Sequence, residues 1–113
     1  MCLNSLSLKC SDLKNGIFEL KSDTGTTIIE RIGNTQIAKK GGLNYYSDVE
    51  WITDCKYELK NHRNHNGEFE KDELNIVYTV EIIKIMRDSV RIKTSVNYSD
   101  KCLERTLKII EIK

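Results

Sequence analysis

Val49-Glu50-Trp51-Ile52-Thr53-Asp54-Cys55-Lys56-Tyr57-Glu58-Leu59 is the stretch whose reading decides the fold class. Val49, Trp51, Thr53, Cys55, Tyr57 and Leu59 fall on one side of a period-two pattern. Asp48, Glu50, Ile52, Asp54, Lys56, Glu58 and Lys60 fall on the other. Side chains of a strand alternate between faces, so one apolar face and one charged face read as a long half-buried strand with water on one side. That arrangement belongs to antiparallel sheets.

The same period recurs on either side. Leu74, Ile76, Tyr78, Val80, Ile82 and Met86 alternate through a second strand, and Val90, Ile92, Thr94, Val96 and Tyr98 through a third. The polar break Arg87-Asp88-Ser89 between them reads as a hairpin turn. Upstream, Gly16–Lys21 places Phe18 and Leu20 on one face, and Ser22-Asp23-Thr24-Gly25 is a turn by composition. Thr26–Ile32 and Thr35–Lys39 flank Gly33-Asn34, a pair suited to a two-residue primed turn. The last strand, Cys102–Ile112, changes parity between Ile109 and Ile110, which predicts a β-bulge or a bend at a barrel corner. Residues 39–46 read as a flexible loop and 61–73 as a polar connector. Together these make about seven antiparallel strands, a meander closed or partly closed into a lipocalin-like barrel, or folded as a sandwich. The barrel is favoured because two strands are long enough to curl around one core. Residues 1–10 read as an N-terminal tether and 11–113 as a single β domain.

Charge excludes several classes. With 18 basic and 17 acidic residues the chain lacks the basic excess that phosphate neutralisation demands, so no nucleic-acid partner is expected. No apolar run approaches the ~20 residues of a membrane helix. Cys2, Cys10, Cys55 and Cys102 contain no C-x-x-C pair, which argues against a zinc ribbon or a redox motif. If all four paired, three connectivities would be open, and buried thiols acting as small hydrophobes are the plain alternative.

No catalytic constellation emerges. His62 and His65 precede Glu68, Glu70 and Asp72, but in a polar, Asn-rich connector that offers nothing to fix the imidazoles, so no metal site or cofactor is expected. Asp48, Glu50 and Asp54 share a face that is open and solvated, with Lys56 and Lys60 beside them, where no carboxyl is driven to unusual acidity. There is no nucleophile elbow and no phosphate loop, and Arg91 with Lys93 reads as the wet face of a strand. The chain is therefore expected not to be an enzyme. Ligand contact is assigned to the inward aromatics Trp51, Tyr57 and Tyr78, and to Tyr45 and Tyr46 beside the Gly41-Gly42 pair.

Two stretches carry a resemblance. Cys10-Ser11-Asp12-Leu13-Lys14-Asn15-Gly16-Ile17-Phe18 is similar to a C-x-x-F-x-x-G-x-F pattern, with Leu13 in the aromatic's place. The Val49–Leu59 stretch is similar to V-x-W-x-x-D-C-x-Y-x-L, and Thr27-Ile28-Ile29-Glu30-Arg31 also matches. The chain thus resembles short bacterial envelope proteins, many of them lipoproteins, of unassigned function. The resemblance implies an extracytoplasmic location, in the periplasm or at the outer membrane, with Cys2 as an acylated anchor and the membrane touched only through it. In that oxidising compartment it implies a Cys10–Cys55 disulfide. It brings no catalytic residues, and leaves a small ligand or another envelope protein as the expected partner.

Overall fold

The computed structural model describes residues 8–113, and Cys2 lies outside them. Eight strands form one closed antiparallel barrel in which each strand pairs with its sequence neighbours. They are β1 (Gly16–Ser22), β2 (Gly25–Ile32), β3 (Thr35–Lys40), β4 (Leu43–Thr53), β5 (Lys56–Arg63), β6 (Tyr78–Ile85), β7 (Ser89–Val96) and β8 (Cys102–Ile112). β8 returns to pair with β1, so no sheet edge is left open. The closed barrel is the expected fold, with one strand more than the pattern suggested.

The extra strand comes from the Val49–Leu59 stretch, which is a hairpin and not one strand. Thr53 pairs with Lys56 across Asp54-Cys55, and the Thr53 hydroxyl accepts a hydrogen bond from the Cys55 amide at 3.1 Å. A register shift between Trp51 and Thr53 restores the odd-to-odd pairing, so Trp51 faces Tyr57 and Val49 faces Leu59. The bulge at Ile52 therefore carries the alternation through the turn unbroken, which is why periodicity alone shows no break there.

Other differences have similarly local causes. Residues 39–46 are not a loop: only Gly41 and Gly42 form the turn, both at positive φ, and Tyr45 and Tyr46 are strand residues opposite Ala38 and Ile37. Leu74 and Ile76 precede β6 in the connector that crosses the other end of the barrel. The parity change in β8 is a bulge, since Phe18 pairs with Ile109 while Ile17 pairs with Glu111. Leu8 and Cys10 pack against the core, so the domain's contacts begin ahead of residue 11.

One end of the barrel is plugged. A 3-10 turn at Cys10–Leu13 places a fully buried Leu13 in the core cluster that also contains Phe18, Val90 and Leu107, each no more than 1% exposed. The plug is fastened to the β4–β5 turn by a Cys10–Cys55 disulfide and a Lys14–Asp54 ion pair of 3.1 Å. The Lys14 ammonium also sits 5.1 Å from the Trp51 ring. Gly16 follows at the tightest point, where an added Cβ would lie 2.6 Å from the Glu111 carbonyl oxygen and 3.2 Å from the Phe18 ring.

Two stability tests follow from the plug. Reduction of the disulfide, which spans 45 residues of chain, should cost about 3–4 kcal/mol in the chain-entropy model. Urea titrations with and without reductant measure it, and coincident midpoints would refute it. Gly16→Ala should cost about 1–3 kcal/mol by overpacking a backbone that cannot retreat, read from the same titration.

Candidate functional site

The register assigns each side chain to the inside or the outside. Phe18 pairs with Ile29, which pairs with Ala38; Gly16 pairs with Arg31, which pairs with Gln36. Tyr57 pairs with Val80 and Val80 with Thr94; Ile92 pairs with Arg105 and Val90 with Leu107. These are the inward positions. No carboxylate of any strand shares them: Glu19, Glu30, Glu58, Glu81 and Glu104 all sit at alternate positions, facing out. Outside, acid and base neutralise each other. Asp48 meets Arg63 at 3.0 Å, Glu30 meets Lys39 and Lys113, Arg91 meets Glu104, and Lys60 bonds Glu50. The Asn61 amide and the Arg63 guanidinium hold the Asp48 carboxyl below its ordinary range. Asp54 is engaged separately by Lys14. The carboxylates grouped by sequence are thus individually neutralised on a convex surface.

Inside, the charges are cationic only. Arg31 is 2% exposed at the closed end. Its guanidinium donates to the Tyr57 hydroxyl at 2.8 Å, the Gln36 amide oxygen at 3.2 Å and the Leu13 carbonyl at 3.1 Å. The Phe18 and Tyr57 rings lie 4.5 and 4.8 Å from its carbon. Burying a cation is costly without compensation, and here neutral dipoles and aromatic faces supply it in place of a carboxylate. The Arg31 Nε has no partner among the described residues.

Above this floor the barrel is hollow. A cavity of about 150 Å³ is walled by Ile29, Leu59, Val80, Ile92 and Leu107, with Tyr57 and Gln36 below and Tyr78 and Arg105 above. Tyr78, Thr94 and Arg105 also border a wider cleft of about 580 Å³ at the mouth, which Val96, Lys101 and Leu103 continue. Cavity and cleft share these three side chains. Arg105 is exposed there and makes no ion pair among the described residues.

The rim is organised by a further bulge. Asn61 takes a φ of 55° and shifts the β4–β5 register, so His62 turns inward although Tyr57 and Leu59 set the opposite parity. His62 bonds the Ser47 hydroxyl at 2.8 Å and the Ile76 carbonyl at 3.1 Å, with its ring 5.3 Å from that of Tyr78. Its nitrogens are occupied, His65 is exposed on the connector, and no cluster of metal-ligating side chains occurs among the described residues. Asn97 fastens the connector to the β7–β8 turn through the Asn75 carbonyl and the Val77 amide.

Of the aromatics singled out from sequence, the structure brings Tyr57 and Tyr78 to the cavity wall. Trp51 lies lower, packed on Tyr57 at 4.6 Å. Tyr45 shares the inward face with Ala38 and is 43% exposed at the rim, and Tyr46 faces outward beside Ile37. Cys102 is an exposed thiol. Sequence reasoning passed over Arg31 and Arg105. Their signal was parity: Arg31 follows Ile29 at a spacing of two, and Arg105 stands between Leu103 and Leu107. No protein-family model, curated protein or solved structure matches the chain.

The Tyr57–Arg31 contact sets a pH test. Burial raises the Tyr57 phenol above its ordinary 10.0, with Arg31 pulling it back. A raised folded value means stability complete below about pH 10 and lost as pH climbs through that value. Tyr57→Phe should cost about 1–3 kcal/mol near neutral pH by removing an acceptor from Arg31. The gap from the unmodified protein should narrow at about pH 11 as its tyrosine is forced to ionise. Urea titrations at both pH values check this, and a gap that widens contradicts it.

Proposed function

We propose that this chain is a non-catalytic, ligand-binding barrel of the bacterial envelope that takes a small, largely apolar molecule through its open end. The observation that carries the reading is the contrast between the two ends. The plugged half is packed around Leu13, Phe18 and Leu107, while the other half holds a cavity of about 150 Å³ that shares Tyr78, Thr94 and Arg105 with the cleft at the mouth. An eight-stranded barrel has room either to fill with side chains or to hold one small ligand. A space of this volume matches a benzene-sized guest. The disulfide agrees with an oxidising compartment, which is where such bonds persist. The alternative, an interaction module meeting another protein through a sheet edge or through Tyr45 and Tyr46, loses its first route because barrel closure removes that edge.

Native mass spectrometry of the unreduced protein is the test. The native ion is expected to carry an extra mass that denaturation releases, and Ile92→Phe, which fills the cavity, should abolish it. An unliganded native mass that stays bare after incubation with small apolar compounds would overturn the reading.

A further inference from the structure

The interior shows a charge asymmetry that a purely apolar guest would leave unused. Arg31 beneath the floor and Arg105 at the mouth face inward, and every strand carboxylate faces out. In a chain of net charge +1 the acids are numerous enough to have paired both arginines, yet they pair with one another's neighbours on the outer surface. Arg31 is already satisfied at its terminal nitrogens by Tyr57, Gln36 and Leu13, and it is sealed from the cavity by the first two. It contributes a positive potential that low-dielectric walls transmit along the barrel axis. Arg105 is different: it borders both cavity and cleft, lacks an ion-pair partner among the described residues and has Lys101 beside it.

Resting on the ligand-binding reading above, we propose that the ligand is a single-chain amphiphile with a carboxylate head, the head held at Arg105 and the chain directed toward Ile92 and Leu107. A guanidinium presents two parallel N–H groups to a carboxylate, which suits a head group that must stop at the mouth. The cavity's 150 Å³ has room for about five water-sized groups at ~30 Å³ each, so it accepts only the terminal part of such a chain. The remainder lies along Tyr78, Val96 and Leu103 in the cleft.

Isothermal titration of the disulfide-bonded protein with decanoate, decanol and decyltrimethylammonium separates head group from chain. Decanoate should bind most tightly, and Arg105→Gln should weaken it about ten- to a hundredfold, the worth of a charge-assisted hydrogen bond, while leaving decanol unchanged. Arg105→Glu should reverse the preference toward decyltrimethylammonium. Arg105 is exposed, so both variants should retain the fold, which circular dichroism verifies. If decanol or the cation binds as well as decanoate, or if Arg105→Gln weakens decanoate and decanol alike, the carboxylate assignment is overturned and the binding barrel stands. If none of the three binds, both readings fall.

Discussion

The buried guanidinium of Arg31 is the contact on which the closed end of the barrel depends. It joins four separate parts of the chain: the plug through the Leu13 carbonyl, β1 through the Phe18 ring, β3 through Gln36 and β5 through the Tyr57 hydroxyl. The Leu13 carbonyl, the Gln36 amide and the Tyr57 hydroxyl would otherwise be buried without this donor, and an unpaired buried polar group is destabilising by more than its hydrogen bond gains. The cation and its neutral acceptors are therefore mutually obligatory. The disulfide and the Lys14–Asp54 pair act on the same plug from outside, holding the chain where the arginine needs its carbonyl.

That closed end defines the open one. Beyond the packed core of Leu13, Phe18, Val80, Val90, Ile92 and Leu107, the inward positions nearest the mouth, Tyr78, Thr94 and Arg105, are left partly or wholly exposed. The long connector between β5 and β6 is fastened at the rim by His62 and Asn97 and leaves the cleft beside Arg105 open. With the strand acids outward and Arg31 and Arg105 at inward positions, positive charge collects inside the barrel although the net charge of the chain is only +1.

Much of this was legible in residue order. The alternation in Tyr78–Ile82 and Val90–Val96, the Gly33-Asn34 turn and the parity change at Ile109–Ile110 each correspond to an observed strand, turn or bulge. These are local signals, set by a side-chain period of two and by turn chemistry. The Asp54-Cys55 turn was hidden because a bulge at Ile52 preserved parity across it. Tyr45 and Tyr46 passed for loop residues because a glycine pair marks a turn without saying how soon pairing resumes. His62 was placed with His65 in a solvated connector, since nothing in the letters announces that Asn61 adopts a left-handed conformation and turns its neighbour inward.

The sequence by itself determined an all-β antiparallel chain with one face of each strand apolar, because alternation is written residue by residue. It also placed Arg31 and Arg105 at inward parity, although that meaning was visible only once the pattern had a barrel to belong to. Tertiary structure alone decided that eight strands close on themselves, that the Cys10 turn plugs one end, and that Arg105 borders the cavity while Arg31 lies sealed beneath its floor. The physical reason is that closure, cavity and partnerless charge depend on pairings between residues far apart in the chain. Gly16 against Ile112 and Ile92 against Arg105 are such pairings, and no local period encodes them.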